Sequence, residues 1–374
     1  MNYELRYEKL QSKMKQADLD VVAVISPQNT IYFSGTYIMT QADIPDRLAI
    51  TLVPAEGDPI MIACVIEKAT VDQEVWFKEK KFYVEFQQSP IDLFVETLKE
   101  WGLMDGRIGI ETNYLTADYF IELKEKAPRI QISNCKRIFD EIRMVKDEDE
   151  IHCMREVAHI TRIAVEEALK EVQPGVTERA FANLAKTKML NNQAVFSLDF
   201  FVMGYGDNSC LVHKLPDSTV MERGDIMRLD CGCVGGGHYQ SDLARTVLIG
   251  EVDAKLLETN KKLNAVYEET VAMMRPGVKA SDVFGACIKI MEKYGLPANT
   301  PHIGHSLGLE CHEYPMISPV EFCELQEGMV INIEPIFVLD GRLYHTEDLV
   351  LVTKNGTEML STDKKSPGIL RIQS

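Results

Sequence analysis

The 374-residue sequence lacks two features that would place it in a broad class of proteins. No predominantly apolar run approaches the roughly 18 residues that a membrane-spanning helix needs, and the charged amino-terminal segment has no apolar centre of an export signal. Positive charge is not in surplus, because 40 Lys and Arg against 57 Asp and Glu leave a net charge of −17. That charge repels phosphate backbones and anionic lipid, so we expect neither a nucleic-acid nor a membrane partner.

The cysteines also lack the pattern of a secreted protein. There are nine, an odd number, and they are scattered from Cys64 to Cys323. This argues against a disulfide framework and for a reducing compartment, so we expect a soluble, cytoplasmic protein. At roughly 150 residues per domain, the length predicts about two domains.

Short apolar runs alternate with helical patterns over the first 145 residues. Leu5, Leu10 and Met14 predict the buried face of a first helix. Four apolar runs predict strands, at 20–26, 48–54, 59–65 and 106–111. This alternation is typical of an α/β fold.

A charged segment, KDEDE, marks the predicted domain boundary. Within it, Asp147 and Glu150 have the spacing of a capping box, which predicts the start of a long helix. The helical pattern must stop before Pro174, because proline cannot continue it. We therefore expect two domains, residues 1–146 and 147–374.

The second domain contains an internal repeat. Pro174-Gly175-Val176 and Pro276-Gly277-Val278 each follow an amphipathic helix, 102 residues apart. Each is followed by a second helical pattern and then by a strand that ends on a carboxylate, Asp230 in the first half and Glu334 in the second. The repeat predicts two related halves that each present one acid.

Predicted hairpins add a second acid to each half. Asp340-Gly341 is typical of a two-residue turn, and a hairpin centred there places Glu334 opposite Glu347. In the first half, a hairpin centred on a run of three glycines places Asp230 opposite Asp242. Directly opposed residues share a sheet face, so the four carboxylates are predicted to form two facing pairs.

The facing acids predict a metal site. Opposed carboxylates in apolar surroundings are destabilising unless a cation neutralises them. A single acid is more often solvent-exposed, but exposure does not explain four acids at repeated offsets. Oxygen ligands favour Mg, Ca or Mn, and one imidazole shifts the preference toward Mn, Fe, Co or Zn. Six of the eight histidines lie in the repeat region: His213, His238, His302, His305, His312 and His345.

Two other patterns give weaker signals. The segment 304–308 matches the serine-hydrolase motif G-x-S-x-G, but prolines on both sides oppose the strand and helix that this motif requires. Cys231 and Cys233 flank Asp230, but alternate residues of a strand point away from the face of the acid. We therefore expect the two cysteines to pack in the core.

These motifs resemble the M24 metallopeptidase superfamily of aminopeptidase P, prolidase and creatinase. The resemblance extends over nearly the whole chain, in the blocks GDIMRLDCG, SDLART, GHSLGLECHE, EGMVINIEP and TEDLVLVT. It implies a creatinase- and prolidase-like α/β domain followed by a catalytic pita-bread domain of two pseudo-symmetric α+β halves. It also implies ligands for two divalent metal ions: Asp230, Asp242, His305, Glu334 and Glu347.

The same resemblance implies the roles of further residues. Glu334 would bind metal and also take a proton from the water that bridges the ions, while His312 would stabilise the tetrahedral intermediate. His213 corresponds to the substrate-pocket histidine of the peptidases and the catalytic histidine of creatinase, and the implied substrate-binding set also includes His302, His312 and His345. The metal would be manganese first, with cobalt, zinc and iron as alternatives.

Two positions depart from the pattern of the proline peptidases. An arginine usually stands two residues before the last glutamate ligand, and here that residue is His345. A histidine usually lies four residues before the histidine ligand, and here Pro301 takes that place with His302 one position later. Because histidine lacks the bidentate cation of arginine, we expect weak cleavage of Xaa-Pro dipeptides and a gain on His345→Arg.

The sequence therefore predicts a dinuclear metal-dependent hydrolase that resembles Xaa-Pro dipeptidases and aminopeptidases and acts on a short peptide or small molecule, and the resemblance implies a homodimer. One alternative is a creatinase- or ectoine-hydrolase-like enzyme that cleaves a small non-peptide C–N substrate. Another is a catalytically inactive pita-bread binding protein. All five implied ligands are present, which favours an enzyme.

Overall fold

The structure, a computed structural model, describes residues 1–44, 46–362, 364 and 366–373. The chain separates into two units, Met1–Arg143 and the residues from Met144 onward. The predicted boundary between residues 146 and 147 lies three residues after this division. None of the helices among the described residues is both long enough and apolar enough to cross a membrane.

The first unit is built on a mixed six-stranded sheet. Its strands are β1 (Val21–Val24), β2 (Ile50–Pro54), β3 (Ile60–Cys64), β4 (Glu79–Tyr83), β5 (Arg107–Ile110) and β6 (Gln131–Asn134). The order across the sheet is β4-β3-β2-β1-β5-β6, with β1 parallel to β5 and antiparallel to β2. All four predicted strands are present. The strands β4 and β6 were not predicted, because they lie at the sheet edges and are polar and partly exposed.

The helices of this unit are α1 (Tyr3–Gln16), α2 (Pro27–Ser34), α3 (Met39–Asp43), α4 (Lys68–Glu74), α5 (Pro90–Glu100), α6 (Ala117–Lys126) and α7 (Lys136–Arg143). In α1, Leu10 and Met14 are buried as predicted, but Leu5 is exposed and its prediction is wrong. At about 100° per residue, Leu5 lies on the face opposite Met14. Arg6 and Tyr7 are buried instead.

The second unit contains two helix pairs and three sheets. Its helices are α8 (Glu148–Glu171), α9 (Glu178–Asn191), α10 (Ala254–Val271) and α11 (Ala280–Lys293). Its strands are β7 (Phe196–Tyr205), β8 (Ile226–Val234), β9 (Leu243–Ile249), β10 (Gly304–Ser306), β11 (Glu313–Met316), β12 (Val330–Ile333), β13 (Ile336–Leu339), β14 (Arg342–His345), β15 (Asp348–Thr353), β16 (Gly356–Met359) and β17 (Leu370–Ile372). The sheet orders are β17-β9-β8-β7, β11-β10-β12-β15-β16 and β13-β14.

The internal repeat is confirmed at the level of single hydrogen bonds. Gly175 N donates to Met221 O at 2.9 Å, and Gly277 N donates to Leu325 O at the same distance. Both glycines have positive φ angles, of 103° and 86°, which glycine adopts without the steric cost of a side chain. The predicted capping box of α8 is also present. One hydrophobic cluster packs under α8 and α9, and a second packs under α10 and α11.

The predicted hairpin of the second half is confirmed. Ile336 pairs with His345 and Ile333 pairs with Asp348, so the register places Glu334 opposite Glu347. The turn residues Asp340 and Gly341 both have positive φ angles, as a type I′ turn requires.

The predicted register of the first half is wrong by two residues. Asp230 pairs with Ala244 instead of Asp242, because the hairpin is centred on the third glycine of the run, Gly237, and not on the second. An even shift leaves every side chain on its predicted face, so Asp230 and Asp242 still share one face as diagonal neighbours. An isolated β-bridge joins this sheet to the other half, in which Glu347 N donates to Ala244 O at 3.0 Å and Ala244 N donates to Glu347 O at 3.4 Å.

Candidate metal centre

The five predicted ligand side chains converge at the junction of the two halves. Asp230 lies on β8 and Asp242 directly precedes β9, whereas His305 lies on β10, and Glu334 and Glu347 follow β12 and precede β15. Each of these residues is at most 8% exposed. The strand ends of both halves therefore present their carboxylates to one buried volume.

His305 lies at the centre of this arrangement. Its Nε2 is 3.5 Å from Glu347 Oε1, 3.7 Å from Glu334 Oε1 and 4.0 Å from Asp242 Oδ2. Two groups of three possible ligand atoms lie within 4.8 Å of one another: Asp242, His305 and Glu347, and Asp230, His345 and Glu347. Glu347 belongs to both groups, as a ligand shared by two ions would.

The carboxylates cannot all ionise on protein charges alone. Burial, together with the neighbouring acids, raises the pKa of Asp242 and of Glu347 well above the usual range. Burial would also raise the pKa of Glu334, but the neighbouring imidazoles of His302 and His345 lower it overall. Acids buried this close together ionise fully only when cations compensate their charge.

The donor atoms fit divalent ions. Asp230 Oδ1 and Asp242 Oδ1 are buried and accept no hydrogen bond from any described residue. His305 Nδ1 lies 3.1 Å from the carbonyl oxygen of Ser306, which can only accept, so Nδ1 carries the proton and Nε2 keeps its lone pair. Burial lowers the pKa of His305 to about 4, so the ring is neutral at pH 7, as a metal ligand must be.

A cavity of about 550 Å³ opens onto this centre. Its lining combines the acids and histidines with apolar side chains: Phe200, Val212, Pro297, Pro301, Ile336, Phe337, Val338 and Leu343. A larger open cavity of about 940 Å³ lies against α8 and α10 but is lined by none of the predicted site residues. The smaller cavity is therefore the candidate substrate pocket.

All four remaining predicted histidines line this pocket. The His312 ring stacks on His305 with centroids 3.8 Å apart, and partial burial lowers its pKa. His302 Nδ1 lies 3.1 Å from Glu334 Oε1, and this contact raises the pKa of His302. His213 is exposed at the pocket mouth beside Phe200, and His345 is buried beside Glu334 and Glu347.

A buried ion pair anchors the loop that carries His213. Glu178, at the start of α9, is fully buried and forms an ion pair with Lys214, the residue after His213. Its carboxylate also accepts hydrogen bonds from Tyr205 N at 3.1 Å and Asp217 N at 3.2 Å. One side chain thus holds both ends of the loop.

We expect Glu178→Gln to lower the free energy of unfolding by about 2 kcal/mol, because Lys214 loses its buried partner and keeps only the half-exposed Asp217, 2.9 Å away, as a counter-charge. Chemical denaturation of both proteins measures the loss. Glu171→Gln is the matched control, because Glu171 makes a more exposed pair with Lys188 and should cost about 1 kcal/mol or less. Equal losses in the two variants would contradict the anchoring role.

A second buried pair supports the turn that carries His312. Glu313 accepts hydrogen bonds from Leu309 N at 2.9 Å and Glu310 N at 3.2 Å. Lys146 Nζ neutralises it at 3.2 Å and also donates to Ser306 Oγ at 3.0 Å. Ser306 therefore has a structural role in strand β10, in line with the rejection of the serine-hydrolase motif.

Several residues of the centre were not predicted. Arg228 is buried on β8 and donates to Asp230 Oδ2 at 2.7 Å. Cys311 Sγ donates to Asp242 Oδ2 at 3.1 Å, and Asn332 Nδ2 donates to Glu347 Oε1 at 2.6 Å. Of these residues only Arg228 could have been identified from the sequence, because it is a cation within the strand IMRLDCGCV. All nine residues of that strand are buried. Cys231 and Cys233 pack in the core, which confirms their predicted role.

Comparisons with known proteins agree with this architecture. Residues 152–354 match the model of metallopeptidase family M24, and residues 6–145 match that of the creatinase/prolidase N-terminal domain. A Xaa-Pro dipeptidase of Pyrococcus furiosus is 29% identical over 363 residues, which cover 96% of this chain and 98% of the relative. A putative dipeptidase of Bacillus subtilis is 26% identical over 369 residues, or 98% and 99% of the two chains. The crystal structure of the prolidase from Pyrococcus horikoshii matches with a TM-score of 0.85 at 26% identity, over 96% and 99% of the chains.

The fold and the comparisons together define a metallopeptidase built from a creatinase-like α/β domain and a pita-bread domain of two pseudo-symmetric halves. The chain belongs to metallopeptidase family M24, because the family model covers more than half of it. The fold class and the family predicted from the sequence are thereby confirmed.

Proposed function

We propose that this metallopeptidase is a dinuclear metal-dependent hydrolase that cleaves an amide bond in Xaa-Pro peptides, and that its two ions, manganese first, bind to Asp230, Asp242, His305, Glu334 and Glu347. The observation that carries the proposal is the convergence of three buried carboxylates, those of Asp242, Glu334 and Glu347, on Nε2 of one neutral imidazole, with a fourth, that of Asp230, grouped with Glu347. When bound, two divalent ions would polarise the substrate carbonyl and lower the pKa of a coordinated water.

Glu334 is the proposed general base. Its carboxylate stays ionised despite burial, because His302 and His345 lower its pKa. The ionised carboxylate can accept a proton from the attacking water. His302 Nδ1 lies 3.1 Å from Glu334 Oε1, close enough for the imidazole to share the transferred proton.

His312 and His213 are the proposed hydrogen-bonding groups for substrate. The lowered pKa of His312 keeps its ring neutral at pH 7, so one nitrogen can donate to the oxygen that becomes negative during attack. His213 lies at the pocket mouth, where it can bind a substrate carbonyl. The apolar wall formed by Phe200, Ile336 and Leu343 is suited to a proline ring.

The pocket offers no free guanidinium to a substrate carboxylate. Among its described lining residues the one arginine is Arg228, and both of its terminal nitrogens already donate to protein acceptors. A dipeptide places its carboxylate next to the scissile bond, whereas a tripeptide places a neutral peptide group there. Loss of one charge-assisted hydrogen bond, worth about 1.5–3 kcal/mol, corresponds to a decrease in kcat/KM of roughly tenfold or more.

We therefore expect kcat/KM for a Xaa-Pro-Yaa tripeptide to exceed that for the matching Xaa-Pro dipeptide by about tenfold. The Xaa-Pro amide is the control, because it has the length of the dipeptide without its charge. Assays with manganese-loaded protein would also include creatine and ectoine. Turnover of either one in place of the peptides would overturn the peptide substrate, and no turnover of any compound would favour an inactive binding protein.

The proposal includes a homodimer in the cytoplasm. All nine cysteines are free thiols, which supports a reducing compartment. Sedimentation of the metal-loaded protein tests the dimer directly, since a monomer mass at micromolar concentration would contradict it.

A further inference from the structure

Arg228 is the largest fully buried side chain in the described part of the protein. It lies on β8 two residues before Asp230, and its Nη2 donates to Asp230 Oδ2 at 2.7 Å and to His345 Nδ1 at 3.1 Å. Its Nη1 donates to the carbonyl oxygen of Val212. One guanidinium therefore links a proposed metal ligand, a pocket histidine and the backbone of the His213 loop.

The contact with Arg228 fixes the hydrogen-bonding role of His345. A guanidinium has only donors, so Nδ1 of His345 must accept and carries no proton. The ring proton is therefore on Nε2, which is buried 3.4 Å from Glu334 Oε2 and 3.7 Å from Glu347 Oε2. Both of these atoms are carboxylate oxygens, so Nε2–H faces acceptors.

His305 shows the opposite arrangement. Its Nδ1 donates to a backbone carbonyl, which leaves the lone pair of Nε2 free for a metal ion. His345 has its proton on the nitrogen that faces the acids, although distance alone would allow it to join Asp230 and Glu347 as a ligand. The hydrogen-bond partner of Nδ1, and not the distance from Nε2 to the acids, therefore distinguishes His305 as a metal ligand from His345 as a donor.

We infer that Arg228 is a positioning residue that fixes the protonated Nε2 of His345 toward the carboxylates of Glu334 and Glu347, keeps this ring from binding metal, and orients the carboxylate of Asp230. The inference rests on the proposed dinuclear function for its catalytic consequence, but the arrangement of protons is a property of the protein alone. Arg228 acts through its neighbours and does not contact the reacting atoms.

This arrangement changes the expectation for His345→Arg. From the sequence, an arginine at this position supplies a missing cation. In the structure the guanidinium of Arg228, on β8, already contacts Nδ1 of His345, so a second guanidinium would be buried against it. We expect His345→Arg to lower activity and stability, because two like charges would be buried together.

The proton arrangement can be observed directly by nitrogen NMR of histidine-labelled protein. We expect His345 to show an unprotonated Nδ1 and a protonated Nε2 in both the metal-free and the zinc-loaded protein, and the signal is assigned by its absence in His345→Gln. In Arg228→Met the fixed pattern should be lost. An unprotonated Nε2 of His345 in the zinc-loaded wild type would overturn the inference.

Metal content gives a second readout. Glutamine can accept from Arg228 and donate to the acids, so His345→Gln should keep the full wild-type zinc content. If His345 were a metal ligand, the same variant should bind one zinc ion fewer. Arg228→Met should lower kcat on the order of 10-fold, with Arg228→Lys between it and the wild type, because lysine cannot reproduce the fork. Loss of one zinc ion in His345→Gln, or wild-type kcat in Arg228→Met, would refute the inference.

The exposed His159 and the partly buried Arg162 provide the control, since Arg162 Nη2 also contacts a histidine Nδ1 but lies outside the pocket. His159→Gln should change neither kcat nor zinc content. If Arg228→Met does not fold, Arg228→Lys and His345→Gln still decide the matter. If the substrate panel fails while His345 keeps its predicted protons, the proposed function is wrong but the positioning role of Arg228 stands.

Discussion

Asp242→Asn is expected to weaken metal binding severely and to lower the hydrolysis rate by more than about 100-fold. Changes even to residues that only support a metal ligand cost about 10- to 100-fold, so loss of a ligand charge should cost more. The amide retains an acceptor for Cys311, which now donates to Asp242 Oδ2 at 3.1 Å, and it preserves the side-chain volume. Titration calorimetry with manganese and elemental analysis would measure binding, and peptide assays would measure the rate.

The same variant should have opposite effects on stability with and without metal. Without metal, removing one of several buried acids relieves repulsion among Asp230, Asp242 and Glu347, so the melting temperature should rise. With saturating metal the wild type gains stability by binding, and Asp242→Asn should gain much less. Asp282→Asn, which changes an exposed acid on α11, is the control and should leave both melting temperatures unchanged. Full metal content and an unchanged rate in Asp242→Asn would disprove the ligand set.

The two hairpins show how far turn chemistry determines register. Asp340 and Gly341 both adopt positive φ angles, and that dipeptide allows only one centre, so the pairing of Glu334 with Glu347 followed from the sequence. Three consecutive glycines allow several centres, and the prediction chose the wrong one. The error did not change the predicted set of ligands, because a shift of two residues keeps a side chain on the same face of the sheet.

The residues that support the centre were harder to predict than the acids. Arg228 and His345 meet across 117 residues of sequence, and Lys146 meets Glu313 across 167. Spacing within one element shows which face a residue occupies, but not which distant side chain it meets. Single-sequence patterns therefore found the carboxylates, which repeat, and missed the partners that set their charge and orientation.

The largest effect we expect away from the proposed ligands is in His312→Ala, with full metal content and a kcat lower by roughly 10² or more, the contribution typical of a positioned proton-transfer group. The His312 ring stacks on His305, so alanine removes a packing contact as well as two nitrogens. His312→Phe separates these effects, because phenylalanine keeps the stacked ring but has no hydrogen-bonding atom. If the polar atoms of His312 act in catalysis, both variants should lose kcat to a similar extent while elemental analysis finds their metal content unchanged. Activity restored by phenylalanine would show that His312 only supports His305, and the proposed stabilisation of the developing negative charge would then have to come from another group in the pocket.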